Sequence, residues 1–236
     1  MRAIRYAADK SNINVIVLPY TFPAQDDLAH LIESACNYAY SQGKLVVASS
    51  GNVHPALNEV YYPANVSCVV AVGATDKNDE RWTDSNYGPE LDFVAPGVDI
   101  NLTNLGGGYV VESGTSYSAP YVAAAAALVF ATYPGEDNQF VWRTLNSTVH
   151  DLGAAGWDEE FGMGLVNAYW PCQLPPGDVN GDHKVDIFDA TLIAKHFGSV
   201  YPEASYYAVA DINIDRVIDI FDIVQVALYF GQVYNP

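Results

Sequence analysis

A serine that could act as a nucleophile stands directly ahead of a long alanine-rich run. The stretch GTSYSAP, residues 114–120, contains Ser116, and apolar residues continue to Tyr133. The alanine-rich run predicts a helix, and a serine in its first turn would lie at the positive end of the helix dipole. The unpaired backbone N–H groups there could stabilise an oxyanion, or the serine could be only a helix cap. The position alone leaves both interpretations open.

Acidic and amide side chains recur in two segments whose first residues, Asp178 and Asp211, are 33 positions apart. In both segments they stand at loop positions 1, 3, 5, 9 and 12, a spacing that turns them towards the centre of a curled loop. The predicted side-chain ligands are Asp178, Asn180, Asp182, Asp186 and Asp189 in the first loop and Asp211, Asn213, Asp215, Asp219 and Asp222 in the second. The main-chain carbonyls of Lys184 and Val217, at position 7, complete the two sets. These hard oxygen ligands predict two Ca²⁺ sites, because the carboxylates would repel one another without a cation.

The elements that must position these residues form two regions. Up to residue 170, short β-branched runs alternate with amphipathic helical patterns. Strands are predicted over residues 14–18, 45–48, 69–73, 91–95 and 109–111, and helices at the N-terminus, over residues 26–42 and along the alanine run, where the helix should be long and buried. This alternation predicts an α/β fold with a parallel sheet covered by helices, whose ligand sites lie at the carboxyl ends of the strands.

A proline-rich segment separates the two regions. Residues 171–177, PCQLPPG, contain three prolines and predict an extended linker. The predicted domains are therefore residues 1–170 and residues 178–236. In the second domain each acidic loop runs into an apolar helical pattern, which predicts a small all-α unit.

The composition is that of a globular protein with few cationic groups. Half of the residues are apolar and 16% are charged, and 28 acidic against 10 basic residues give a formal net charge of −18. This charge argues against non-specific binding to nucleic acid or anionic lipid and makes cations the better partners. No apolar run reaches the length of about 20 residues that a membrane-spanning helix needs. We expect no transmembrane segment.

The second region, residues 177–231, resembles a type I dockerin, a module of two calcium loop–helix repeats. Each loop ends in an aspartate, Asp189 or Asp222, as in dockerins, whereas an ordinary EF-hand loop ends in glutamate. Position 6, which is usually glycine, is His183 in one loop and Arg216 in the other. A left-handed backbone there would be strained, which predicts weaker Ca²⁺ binding rather than a different kind of site.

Dockerins bind cohesin modules on a scaffold or cell surface, so the resemblance implies a cohesin-type protein partner and an extracellular or cell-surface location. Loop positions 10 and 11 usually help to select that partner. They are Ile187 with Phe188 in the first repeat and Ile220 with Phe221 in the second. Either the two phenylalanines belong to the small core, or the four residues form an apolar, two-fold related face that can dock in either orientation.

Residues 1–170 resemble the C-terminal part of a subtilisin-like serine protease, and GTSYSAP is similar to the nucleophile motif of that family. Four further segments match the family: ASSGN (48–52), YYPANVSCVVAVGATD (61–76), NYGPELDFVAPGVDI (86–100) and FGMGLVNA (161–168). The resemblance implies peptide-bond hydrolysis through an acyl-enzyme, with Ser116 as the nucleophile and the Asn52 amide as the side-chain donor of the oxyanion hole. It also implies that Ser49, Ser50 and Gly51 form one wall of the pocket for the residue before the cleaved bond.

The chain departs from the family in its catalytic base. Neither the Asp-(Thr/Ser)-Gly motif nor the His-Gly-Thr-His motif occurs in it. Because both precede the serine in the family, we expect that the chain is a fragment, incomplete at its N-terminus and nearly inactive alone. His54 would approach Ser116 from the oxyanion side and is not expected to replace the base. Pro19 removes an N–H from the strand that pairs with the substrate in the family.

These observations support two functional hypotheses. The first is a secreted serine endopeptidase whose catalytic Asp and His lie outside this sequence and whose dockerin tethers it to a cohesin. The alternative is a non-catalytic protease remnant that acts only as a cohesin-docking module. A carbohydrate-degrading activity is suggested only by the enzymes with which dockerins often occur, and no pattern in residues 1–170 supports it.

Overall fold

The computed structural model describes residues 1–23, 29–53, 55–169, 177–180, 184–200, 210–212 and 217–233. These residues form a four-stranded sheet with helices on both faces and, further along the chain, two short helices with a core of their own. None of the helices in this described part is long and apolar enough to cross a bilayer. The proline-rich linker, except for its last residue Gly177, lies outside it.

Four parallel strands form the sheet in the order β1-β2-β3-β4. They are β1 (Val15–Leu18), β2 (Leu45–Ser49), β3 (Val69–Thr75) and β4 (Phe93–Pro96). β2 and β3 are buried along their whole length, and strands covered on both faces have continuous apolar sequences rather than alternating ones. The predicted parallel sheet is confirmed, with strand limits within two residues of those expected.

Helices cover both faces of this sheet. They are α1 (Arg2–Ala8) and α2 (Ala29–Ser41) on one face and α3 (Thr115–Thr132) and α4 (Asn138–Asn146) on the other. Alternate residues of a strand contribute to the two cores: Val46 and Ala48 face α2, whereas Leu45 and Val47 face α3. The predicted start of α2 lies outside the described residues. Helix α4, which begins where the Asp137 carboxylate accepts a hydrogen bond from the Phe140 N–H, has no counterpart in the prediction.

The alanine-rich run forms α3, as predicted, but only one side of the helix is buried in the described structure. Ala119, Val122 and Ala126 face the sheet, and their small side chains let the helix lie close to the strands. On the opposite side Tyr121 and Leu128 are about half exposed. The prediction of a long buried helix is therefore correct for its length and wrong for this second face.

A β-hairpin carries the chain into α3. β5 (Ile100–Thr103) and β6 (Tyr109–Glu112) pair antiparallel, and Gly106, Gly107 and Gly108 form the turn between them. The segment 109–111 is a strand, as expected, but it does not belong to the parallel sheet. A five-residue, glycine-rich connection favours antiparallel pairing with the preceding strand, because parallel strands need a much longer crossover.

The two predicted calcium-loop repeats each lead into a helix, as expected, and the structure adds a cap at the start of each. The helices are α5 (Ile187–His196) and α6 (Ile220–Tyr229). Asp186 and Asp219 are their N-caps, and each cap forms a capping box with the aspartate three residues later. Buried apolar residues from both repeats form the small core: Val179, Val185, Ile193, Ala210, Ile218 and Val226.

The backbones of the two repeats contact each other reciprocally. Lys184 of the first loop forms an antiparallel bridge with Val233, which follows α6. Val217, the equivalent of Lys184 in the second loop, forms the matching bridge with Val200, which follows α5. Both bridges join the same pair of repeat positions, so the described backbone of this domain has an approximate two-fold symmetry.

One carboxyl group of the first domain is partly buried between β3 and α4. Asp92 precedes β4 and accepts hydrogen bonds from the Ala71 N–H at 2.8 Å and the Trp142 indole N–H at 3.2 Å. Desolvation raises the pKa of Asp92 to about 6, and these two hydrogen bonds oppose the shift without cancelling it. The unfolded chain releases the same proton near pH 3.9.

The stability of this domain should therefore depend on the protonation of Asp92. Between about pH 4 and pH 6 the folded state binds more protons than the unfolded state, so the free energy of unfolding falls as the pH rises through this window. The loss amounts to at most about 3 kcal/mol, since one pKa unit corresponds to about 1.4 kcal/mol. We expect Asp92→Asn to remove this dependence. Urea unfolding at pH 4.5, 6 and 7.5 measures it as the difference between wild type and variant, and a difference that does not change with pH contradicts the prediction.

Candidate active site and calcium loops

Ser116 lies at the start of α3, beside the carboxyl ends of the strands. It is the second residue of the helix and is half buried. The preceding Gly114 is the N-cap and has no side chain to occupy the helix end, and its N–H donates to Gly97 O at 2.7 Å. A side chain at Gly97 would overlap the Ser118 hydroxyl and lie 2.7 Å from Ala74 Cβ. Close approach of the β4 end to α3 thus requires glycine and keeps Ser116 at the edge of the sheet.

The Thr115 hydroxyl connects the first turn of α3 to the end of β2. Its Oγ1 accepts a hydrogen bond from the Gly51 N–H at 3.3 Å and donates to Asn52 Oδ1 at 2.7 Å. The Thr115 N–H also donates to Asn52 Oδ1, at 2.9 Å. Two donors on one amide oxygen determine which way the Asn52 amide points, since the NH₂ group cannot accept them. The Asn52 NH₂ group is consequently directed away from Thr115.

The Asn52 amide nitrogen lies beside Gly114, two residues before Ser116. A Cβ atom added to Gly114 would be 3.3 Å from Asn52 Nδ2. Asn52 is exposed, so its NH₂ group can donate to a group that approaches from solvent. The structure therefore brings together the predicted serine and the predicted amide donor, and it adds Thr115, whose positioning of Asn52 the sequence did not indicate.

The segment before Asn52 is buried along its whole length, from Ser49 to Gly51. Ser49 and Ser50 are fully buried, and the Ser50 hydroxyl donates to Asn86 O at 2.9 Å. Gly51 has a φ of +120°, and a Cβ atom on it would lie 2.6 Å from Asn86 Nδ2. The role of these residues as a pocket wall stays a prediction.

The part of the chain that the structure describes does not pair Ser116 with a general base. No hydrogen bond among these residues joins the Ser116 hydroxyl to a histidine. His30 is an exposed residue of α2 beside Glu33, and the His150 backbone pairs with Leu165. His54 lies outside the described residues, as do Asp182, Asn213 and Asp215 of the predicted calcium sets and His183 and Arg216 at loop position 6.

The described carboxylates of the calcium loops occupy equivalent positions. Asp189 is fully buried; its Oδ1 accepts from the Val179 N–H at 2.7 Å, and its Oδ2 accepts from the Asp186 N–H at 2.8 Å. In the second loop Asp222 makes the matching bonds, from the Ile212 N–H at 2.7 Å and the Asp219 N–H at 2.8 Å. The last aspartate of each loop therefore holds the loop against the start of its helix.

The other described side-chain ligands differ in their burial and in the backbone groups that they contact. Asp178 and Asp211, the first residues of the loops, are each 3% exposed, whereas Asp186 and Asp219 cap the helices. Asn180 lies in the described loop and its N–H donates to the Asp189 carboxylate. Among the described residues no three acidic, histidine or cysteine side chains converge on one point. The described ligands are thus close in the chain without forming a complete cation shell.

The four apolar residues predicted to select a partner are all on the surface. Phe188 is 65% exposed and Phe221 is 61% exposed, and Ile187 and Ile220 are exposed to a similar degree. The interpretation of the two phenylalanines as core residues is wrong, because the core is filled by the opposite side of each helix. The first turns of α5 and α6 instead present a matched pair of apolar side chains.

Comparison with known proteins identifies both regions. Residues 1–164 match the model described as the subtilase family, which covers more than half of the chain. The chain belongs to the subtilase family. Residues 176–231 match the dockerin type I domain, so a dockerin follows the subtilase segment, as the motifs predicted.

Individual relatives agree with this assignment. Over 137 residues, 58% of this chain, the subtilase is 44% identical to subtilisin BL of Lederbergia lenta and to alkaline elastase YaB of Bacillus sp. strain YaB. The match covers 49% of the first relative and 35% of the second, so the chain spans half or less of their length. A crystal structure of a lanthipeptide protease superposes with a TM-score of 0.65 at 26% identity, covering 73% of this chain and 64% of that one.

We expect Thr115→Val to destabilise this subtilase by about 1–3 kcal/mol, because it leaves the buried Gly51 N–H without its acceptor. Thr115→Ser keeps the hydroxyl and is the matched control, for which we expect less than about half of that loss. Urea unfolding of both variants measures the difference. Equal stability of the valine and wild-type proteins would show that the hydroxyl does not hold the two elements together.

Proposed function

We propose that this chain carries the nucleophile and the oxyanion hole of a subtilisin-type serine endopeptidase, which its dockerin tethers to a cohesin. The observation that carries this proposal is the arrangement of Ser116, Thr115 and Asn52 at the first turn of α3. Thr115 holds the oxygen of the Asn52 amide, so that the nitrogen is turned towards Gly114, two residues before Ser116. An oxyanion hole needs an amide donor that is fixed by such contacts, and the same Asn52 oxygen also caps the first N–H of α3.

In the proposed reaction, the Ser116 oxygen attacks the carbonyl carbon of the substrate peptide bond and its proton passes to a general base. The negative charge that forms on the carbonyl oxygen is stabilised by a backbone N–H at the start of α3 and by Asn52 Nδ2. The base then donates the proton to the departing amine, which leaves an acyl-enzyme on Ser116. Water releases the acyl group by the reverse sequence of proton transfers.

The general base and its orienting carboxylate are proposed to come from a further part of the subtilase domain, outside these 236 residues. Two surfaces of the described structure support this part of the proposal. β1 pairs only with β2 among the described strands, which leaves its other edge open. The outward side of α3 carries the half-exposed Tyr121 and Leu128, and a helix that is apolar all round is usually covered. The alternative, a remnant that only docks, is favoured by the absence of both family motifs from this sequence.

The dockerin is proposed to bind two Ca²⁺ ions and one cohesin-type module outside the cell or at its surface. The described residues fit a hard cation, since each loop buries two carboxylates, Asp178 with Asp189 and Asp211 with Asp222, whose like charges need compensation. When bound, Ca²⁺ would supply that compensation and hold the loop closed. We propose residues 1–170 and 178–236 as the two domains, joined by the linker 171–177.

A fluorophosphonate probe, which reacts only with an activated serine, tests the protease proposal. We expect it to label Ser116 in the protein expressed with its upstream reading frame, and not in the 236-residue chain alone. Ser116→Ala should abolish labelling, and in subtilisin the loss of this serine lowers turnover by about 10⁶. Asn52→Ala should slow peptide hydrolysis by about 10²–10³, the loss found for the corresponding donor in subtilisin.

The outcomes separate the two functions. Labelling that persists in Ser116→Ala would show that another residue is the nucleophile. If the upstream frame is closed and no labelling occurs, the chain is the docking remnant.

Removal of Ca²⁺ should unfold the dockerin helices. We expect EGTA to reduce the helical circular dichroism of the intact chain, because the buried carboxylates then repel one another. Asp189→Asn and Asp222→Asn should each abolish or weaken, by at least about tenfold, one of two Ca²⁺ sites seen by calorimetry. Glu112→Gln on exposed β6 removes the same charge elsewhere and should leave both sites intact. A titration without heat in wild type would contradict the calcium sites.

A further inference from the structure

The exposed surface of α6 is apolar over its whole length. Ile220, Val224 and Leu228 follow one another at intervals of four residues, so they lie along one stripe of the helix, and Phe221 lies beside it. Val224 is 45% exposed and Leu228 is 67% exposed. We call these four residues the α6 arc. Side chains of this size and number are not needed to cover the core, which the opposite face of α6 fills.

The corresponding surface of α5 is different beyond its first turn. Ile187 and Phe188 match Ile220 and Phe221 of the α6 arc. The next positions on α5 are Thr191 and Lys195, both exposed, where α6 has valine and leucine. The Thr191 hydroxyl donates to Ile187 O at 2.7 Å. The second and third turns of α5 therefore present polar groups where α6 presents apolar ones.

This difference matters because the backbone beneath the two helices is nearly symmetric. The reciprocal bridges of Lys184 with Val233 and of Val217 with Val200 relate α5 to α6 by an approximate two-fold rotation. A partner that rotated by half a turn would meet the same framework, but Lys195 would take the place of Leu228. In the rotated complex, the apolar partner surface that covered Leu228 would cover Lys195 instead. Removing the Lys195 ammonium group from water is costly unless the partner supplies a negative charge.

We propose that the cohesin-type partner binds through an apolar patch that covers the α6 arc, so that docking has one preferred orientation rather than two equivalent ones. This inference rests on the proposed docking function. It replaces the expectation of equivalent orientations, which considered only the isoleucine–phenylalanine pairs. Val224 and Leu228 determine the preference, and the identical first turns support contact without distinguishing the orientations.

Exchange of the differing residues between the helices tests the preference. Recombinant type I cohesin modules are titrated into the intact chain in Ca²⁺, and the tightest binder serves as the probe. We expect V224T/L228K to weaken its binding by about 30-fold or more, since burial of one leucine is worth about tenfold to 150-fold in affinity. The reverse pair, T191V/K195L, should change affinity by less than about threefold.

The fourfold variant T191V/K195L/V224T/L228K moves the apolar arc from α6 to α5. Because the framework is nearly symmetric, we expect the partner to rotate and the affinity to return to within about tenfold of wild type. Calcium-dependent circular dichroism checks that all variants fold, and every exchanged side chain is exposed in the described structure.

Three results would overturn the inference. If T191V/K195L weakens binding as strongly as V224T/L228K, the partner reads both helices, and Lys195 faces an acidic group. If the fourfold variant binds no better than V224T/L228K, the arc is not what sets the orientation. If no cohesin binds the wild-type chain, the docking function itself is wrong, and the preference is wrong with it.

Discussion

The hydrogen bonds of the Thr115 hydroxyl tie the end of β2 to the start of α3. This single buried group accepts from the Gly51 N–H and donates to the Asn52 amide, so it joins two elements that are far apart in the chain. An apolar residue of the same shape would leave a backbone N–H unpaired in the interior. The direction of the Asn52 amide and the approach of the first turn of α3 to the end of β2 depend on this junction.

Glycine makes the junction possible at close range. Gly97 and Gly51 both lie where a side chain would overlap a neighbour, the Ser118 hydroxyl in one case and the Asn86 amide in the other. Without side chains at these two positions, the ends of β2 and β4 can lie close to their neighbours near the start of α3. Among the described strands, β1 pairs only with β2, and the outer side of α3 carries the half-exposed Tyr121 and Leu128.

In the dockerin, as at Thr115, buried side-chain oxygens accept backbone N–H groups, and here they close the loops. Asp189 and Asp222 use their carboxylates to gather backbone N–H groups, which closes each loop onto the helix that follows it. The arrangement repeats because the two backbones contact each other reciprocally. The helix surfaces are under no such constraint, so the same framework can carry an apolar arc on α6 and polar groups on α5.

The sequence by itself determined the features that depend on neighbours in the chain. Short β-branched runs predicted the buried strands β2 and β3, and the alanine run predicted the length of α3. The repeated aspartates and the apolar patterns after them predicted two loops that run into helices. The GTSYSAP motif placed Ser116 at a helix start. Each of these signals lies within about 20 residues, the range over which helical and strand periodicity can be read from the chain.

Only the tertiary structure decided what those elements touch. Thr115 and Asn52 are 63 positions apart, and Asp92 and Trp142 are 50 positions apart, so no local pattern could indicate either hydrogen bond. Periodicity likewise could not tell whether Phe188 is buried or exposed, because the answer depends on which side of α5 meets α6. Local order follows from the chain, whereas burial, pKa and the direction of a side-chain amide follow from partners that only folding brings together.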